Sequence, residues 1–149
     1  SGEVANNIIF DTEEYISREG LKGSSAKIIP SGTVVMAMYG ATASQVTYLD
    51  CDTTTNQACC NMLTATFEEA AYLYFHCLYQ QENIKRLANG GAQENLSQEL
   101  ICAQPILICE NTHIYDVFSK LLSAKIAFSK ENYCCGILLK NLLSNIVII

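Results

Sequence analysis

The sequence predicts an α+β chain: a globular body of mixed, mostly antiparallel β-structure with short helices, followed by a long C-terminal helix of the coiled-coil type. Three observations predict it. Short β-branched and apolar runs bounded by turn residues fill the stretch from Lys27 to Leu63. A single strong helical segment follows, with start and stop signals at its two ends. Beyond it, Ile114, Leu121, Phe128, Cys135 and Leu142 recur every seven residues.

The elements follow in order. In "FDTEEYISREGL", Asp11 is an N-cap with Glu14 in the box position, Gly20 suits the residue after the last turn, and Leu21 folds back onto Ile16; a short helix is expected there. "AKIIPSGTVVMAMYGAT" reads as strand, turn, strand, with Pro30, Ser31 and Gly32 making the turn. Thr33 to Tyr39 has the composition of a strand buried on both faces, and Gly40 breaks it. "QVTYLD" alternates, as a half-buried strand does. "DCDTTTNQACCNML" is a polar turn leading into another strand.

The strong helix is "TATFEEAAYLYFHCLYQQENIKRLANGG". Thr66 caps it and Glu69 completes the reciprocal box. Glu68 and Glu69 suit the positive first turn, Lys85 and Arg86 the negative last turn, and Glu82 is spaced to pair with Arg86. Ala71, Tyr74, Phe75 and Leu78 form an apolar stripe. Tyr72, Tyr74 and Tyr79 on this helix are read as core packing. Gly90 stops the helix, Asn95 caps the next with Gln98 in the box position, and Pro105 ends it; "PILIC" continues as a strand.

In the tail, Val117, Ala124 and Leu138 fill three of the companion heptad positions, and Glu131 and Asn145 take the other two. The pattern lasts about four and a half repeats, enough for a helix of roughly 45 Å. Gly136 marks where a break near 132–136 would fall. The apolar end of the chain is expected to be buried. Such a seam needs a partner helix, so Ile114, Val117, Leu121, Phe128, Leu138 and Leu142 are expected to pair helices.

Charge and cysteine usage narrow the function. The formal net charge is −6; residues 1–109 carry five Lys or Arg against twelve Asp or Glu, a balance of −7. That excludes a nucleic-acid binder relying on bulk electrostatics, and leaves room for one that reads bases while another subunit grips phosphate. The eight cysteines include two adjacent pairs and no C-x-x-C, and most lie in apolar runs. They indicate a reduced, cytoplasmic protein. Neither His76 nor His113 has a ligand-spaced partner, so no metal is expected. No apolar run reaches the length of a membrane span, and no cationic stretch followed by an apolar one opens the sequence, so no secretory signal is expected. A chain that begins at Ser1 is expected to be a piece of something longer, or what remains after a tag has been cleaved. No phosphate loop and no G-x-S-x-G elbow is present. Cys60 with His76 is the one conceivable nucleophile–base pair.

Three motifs in fixed order carry a resemblance: "IPSGTVVMAMYGAT", "TTTNQACCNML" and "ENIKRLANGGAQENLSQELI…PILI". The chain resembles the target recognition domain of type I restriction-modification specificity subunits, and its tail resembles the spacer helix that follows each such domain. The likeness runs from about Asn7 to Ile149. It implies residues 1–109 as a recognition domain, N-terminally incomplete, and 110–149 as a spacer or dimerisation helix. It implies recognition of one half of a bipartite double-stranded DNA target without catalysis and without a cofactor of its own. The partners implied are the methylation subunit, which carries the cofactor and flips the base, the restriction subunit, and a second helix from a homodimer or the other half of the subunit. No membrane is involved. Members commonly carry a basic residue where Gln45 stands, and proline where Glu94 stands.

Within that resemblance Lys27, Lys85 and Arg86 are the expected phosphate contacts. Ser24, Ser25, Gln93 and Tyr39 are expected nearer the bases, with Asn89 leading into the loop. Tyr39–Thr42 and the Gly90–Asn95 loop also read as framework shared by members that bind different DNA, with the Gln93 amide satisfying the loop's own backbone. Two other functions stay open: an assembly element that does not bind DNA, favoured by the acidic body, and a cysteine-nucleophile enzyme.

Overall fold

The computed structural model of the chain describes residues 2–88 and 95–146. A 3₁₀ turn (Gly2–Asn6) leads into β1 (Ile8–Ile9), α1 (Arg18–Lys22), β2 (Ile28–Ile29), β3 (Val34–Ala37), β4 (Val46–Leu49), β5 (Thr53–Thr54) and β6 (Cys59–Met62). Three helices follow: α2 (Phe67–Ala88), α3 (Gln98–Cys102) and α4 (His113–Ile146). The α+β class is as the sequence predicts.

The main sheet has the order β1-β4-β3-β6. β3 is central and antiparallel to both neighbours, with Val35 opposite Thr47 on one side and Asn61 on the other. β1 joins β4 in parallel. β3 is buried along its whole length, as its unbroken apolar run predicts. β4 was expected to be half-buried; all four of its residues are buried. The cause is cover on both faces: Val46 and Tyr48 lie under α2, and Leu49 packs with Val4, Ile9 and Val35 on the other side.

Side chains alternate across the sheet. Val34, Met36, Val46, Tyr48 and Cys60 face α2 and pack with its Ala70, Ala71, Tyr74 and Cys77. Val4, Ile9, Val35, Ala37 and Leu49 form a smaller cluster on the opposite face. β2 does not pair with β3 across the Pro30–Gly32 turn. It joins β5 in a separate two-stranded ribbon, with Ile28 opposite Thr54. The turn itself forms as expected: Gly32 takes a φ of +92° and its N–H donates to Leu49 O at 2.8 Å, while Ser31 N donates to Asp52 Oδ1 at 2.8 Å. Gly40, at φ +69°, ends the extended chain after β3 in a 3₁₀ turn.

α2 matches its sequence signals. Thr66 Oγ1 accepts from Glu69 N at 3.2 Å, and Glu69 Oε2 accepts from Ala65 N at 2.9 Å, so the reciprocal arm reaches one residue further back than the standard box. Glu68 and Glu69 occupy the first turn and Lys85 and Arg86 the last. The expected Glu82–Arg86 ion pair is not among those formed by the described residues. Thr66→Ala is expected to cost about 1 kcal/mol by freeing an N-terminal amide, read as a lower thermal midpoint. An unchanged midpoint would mean that the cap adds nothing beyond the packing of α2.

Several local expectations are corrected. The first helix lies six residues later than the Asp11 cap implies. Ser17 Oγ caps it by accepting from Gly20 N at 3.0 Å. The Asp11 carboxylate is instead occupied by Thr12 N and by the Tyr15 hydroxyl. α3 is capped by Ser97, which accepts from Leu100 N at 3.1 Å, and not by Asn95. Asn95 pairs with Tyr39 in an isolated antiparallel bridge, and Leu96 N donates to Met38 O at 2.8 Å. "PILIC" forms no strand. Its backbone bonds to tyrosine hydroxyls: Tyr72 Oη donates to Leu107 O, and Cys109 N donates to Tyr115 Oη. Tyr74 is core and Tyr72 packs between helices, but Tyr79 is exposed.

α4 runs unbroken through Gly136 for 34 residues, about 51 Å. A single exposed glycine costs a helix only about 1 kcal/mol, too little to interrupt one of this length. Its first turns pack on α2, with Tyr72 against Tyr115 and Phe118 at centroid distances of 4.8 and 5.4 Å and Phe75 against Phe118 at 5.5 Å. Leu122 is fully buried there. Further along, Lys130 pairs with Asp50 at 3.6 Å and lies over the Phe10 ring, and Tyr133 meets Phe10 at 5.6 Å.

The face that α4 turns to the body is not the heptad seam. Leu121, Phe128, Leu138 and Leu142 are exposed, Leu121 by 51% beside a Leu122 at 0%. The apolar C-terminal turns, expected to be buried, are also exposed at Leu139 and Leu143. Among the described residues no helix is long and apolar enough to cross a membrane.

Candidate nucleic-acid interface

The sheet face away from α2 carries a cleft of about 820 Å³. Its floor is Ile9, Val35, Thr47 and Leu49. One wall is the β2–β5 ribbon with the turn that follows it, Thr53 to Gln57. Ser24–Lys27, which runs into β2, lines the cleft as well, as do Tyr15 and Ile16. An apolar floor thus carries a rim of hydroxyls and amides, with Glu3, Glu14 and Lys27 as its charged members. These side-chain types read base edges through paired donors and acceptors.

The ribbon assembles this rim. Its antiparallel register sets Ile28 against Thr54, so Lys27 continues it abreast of Thr55. Asn61, on β6, donates from Nδ2 to Thr55 Oγ1 at 2.8 Å and ties the ribbon's end to the main sheet. Ser24 is partly committed to its own turn, its Oγ accepting from Ala26 N at 3.2 Å. Tyr15 is 75% exposed, and its hydroxyl donates to both Asp11 oxygens at 2.8 Å; that bond, above all, raises its pKa.

The expected DNA-contacting residues therefore fall into two groups. Ser24, Ser25 and Lys27 come together on the cleft. Tyr39 lies beyond the end of β3, held by its bridge to Asn95, and Lys85 and Arg86 are exposed on the last turn of α2; none of these three lines the cleft. Asn89 and Gln93 lie outside the described residues. Residues 53–57 were read from the sequence as a plain polar turn. The signal was present in "TTTNQ", a run made only of groove-reading side chains, but its place opposite Lys27 depends on the pairing of β2 with β5.

The thiol pair is placed elsewhere. Cys60 is 3% exposed on the α2-facing side of the sheet, and burial raises its thiol pKa, the opposite of what a nucleophile needs. The His76 ring stacks on Tyr72. All eight cysteines are free.

Four layers follow one another: cleft, sheet, α2, α4. The cleft and the α4 arm thus lie on opposite sides of the sheet–α2 pair. The chain matches the family model of the type I restriction modification DNA specificity domain over residues 2–133. It belongs to that family, whose part in a restriction-modification system is DNA sequence specificity. The matched region ends at Tyr133, the residue of α4 that packs on Phe10.

Proposed function

We propose that the chain reads one half of a bipartite DNA target through its cleft face, and that α4 joins it to its partners. Residues 1–109 act as the reader and residues 110–149 as the spacer. The single observation that carries this reading is the division of polar and apolar surface across the sheet. The hydroxyl- and amide-lined rim lies on one face, and the exposed heptad seam of α4 lies beyond the other. Ser25 and Lys27, which line the cleft, approach DNA there; Lys85 and Arg86, on the last turn of α2, take phosphate, and Tyr39, beyond β3, stands nearer the bases.

Ile114, Val117, Leu121, Phe128, Leu138 and Leu142 take a second helix, from another copy of the chain or from the other half of the subunit. Methylation subunits dock on the paired helices and supply the reactive chemistry and most of the phosphate grip. The reader's balance of −7 is compatible with that division of labour. A restriction subunit joins the same assembly, in the cytoplasm.

A gel-shift titration against a randomised DNA pool, with and without the methylation subunit of the same system, tests this. Sequence-selective retention that appears or strengthens with the subunit is expected, and it should weaken steeply as salt rises. Selectivity absent in both conditions leaves only the assembly role, which the acidic body favours.

A further inference from the structure

We propose that Gln57, presented by the turn that follows the β2–β5 ribbon, is a base-reading side chain that contacts an adenine in the DNA major groove. The inference rests on the DNA-specificity reading above and names the residue that carries part of it.

The major groove admits a two-stranded β-ribbon, and β2–β5 is such a ribbon, separate from the four-stranded sheet. The turn after it is rigidly held. Asn56 Oδ1 accepts from Ala58 N at 3.1 Å, and Asn56 O accepts from Cys59 N at 3.2 Å. Ala58 O accepts from Met38 N at 2.8 Å, which fastens the turn to the chain leaving the central strand. Gln57 therefore stands on a backbone fixed before any ligand arrives, and little ordering of the chain remains to be done on binding.

Two neighbouring oxygens are already engaged: Asn56 Oδ1 serves the turn, and Thr55 Oγ1 accepts from Asn61 Nδ2. Gln57 is exposed on the cleft rim, and among the described residues its amide has no hydrogen-bond partner. A free carboxamide offers one donor and one acceptor side by side, the complement of adenine N6 and N7. Lys27, also on the cleft rim, is a point charge free of any ion pair with the described residues, and suits a phosphate oxygen.

The test is target selection from randomised duplex DNA by the full chain together with its methylation subunit, comparing wild type, Gln57→Ala, Gln57→Glu and Lys27→Ala. Gln57→Ala is expected to lose about ten- to hundredfold discrimination at one A·T pair and to keep it elsewhere. Gln57→Glu is expected to move the preference at that position towards a C·G pair, since a carboxylate accepts from cytosine N4. Lys27→Ala is expected to weaken all sequences alike and to reduce the salt slope by about 1. A wild-type motif retained at every position by both Gln57 variants overturns the inference and leaves the specificity reading standing. A wild-type complex with no sequence preference overturns the reading itself.

Discussion

Leu122→Ala is expected to lower the stability of the chain by about 2–5 kcal/mol, whereas Leu121→Glu, one residue away, is expected to change it by no more than about 0.5 kcal/mol. The contrast follows from α4 having two apolar faces. Leu122 is fully buried beneath the aromatic contacts that Tyr72 and Phe75 make with Tyr115 and Phe118. Removing three of its carbons leaves a cavity that those rings cannot close without giving up their own packing. Native domains are stable by only about 5–15 kcal/mol, so the loss is a large share of the total. Leu121, turned about 100° round the helix from Leu122, is half exposed. Its replacement by a charge is expected to leave the urea midpoint of the isolated chain in place and to lower the mass measured by light scattering, because it disrupts the seam. Equal midpoint losses for the two variants would mean that the seam, not the Leu122 face, packs on the body.

The same helix shows what the sequence could and could not reveal. Its length and heptad spacing were legible because Ile114, Leu121, Phe128, Cys135 and Leu142 repeat without interruption. The second stripe, Tyr115, Phe118, Leu122 and Ile126, is interleaved with the first, and no local pattern says which stripe meets the chain's own core. That choice is made by the aromatic surface of α2, far away in sequence. α2 itself was legible to its first residue, because capping, dipole and apolar stripe all agree there. α1 was misplaced because two capping side chains compete within seven residues; Tyr15 takes the Asp11 carboxylate and leaves Ser17 to start the helix. β3 announced its burial by composition, but the partner of β2 could not be read, since the ribbon closes across the intervening β3 and β4. The candidate site inherits that limit. Ser24, Ser25 and Lys27 were picked out as candidates by residue type, whereas Gln57 became a candidate only once the fold set its turn on the same cleft.

Stability is expected to fall by several kcal/mol as the pH is raised from about 9 to about 12, with Cys77 as the largest resolved contributor. Cys77 lies 5% exposed on the sheet-facing side of α2. Burial, with a smaller push from neighbouring Cys60, raises its thiol pKa from 9.0 to about 12. The sign follows from which state gives up the proton first. The unfolded chain ionises Cys77 near its ordinary value, while the folded chain holds the proton. The stabilisation is therefore complete below about pH 9 and is lost as the pH rises towards the folded value. The gap corresponds to on the order of 4 kcal/mol at full titration. Tyr74, one turn earlier and fully buried, is shifted in the same direction by burial alone and adds to the loss above its ordinary 10.0. The comparison that isolates Cys77 is the urea midpoint against pH for wild type and Cys77→Ala, because the tyrosine and the other thiols are common to both. The variant starts lower at neutral pH, having lost a buried sulfur, and its profile is expected to be flatter between pH 9 and 12, so that the two curves converge. Curves that stay parallel across that range would mean that the Cys77 thiol already meets solvent in the folded chain, and that the α2–sheet contact is looser than its packing implies.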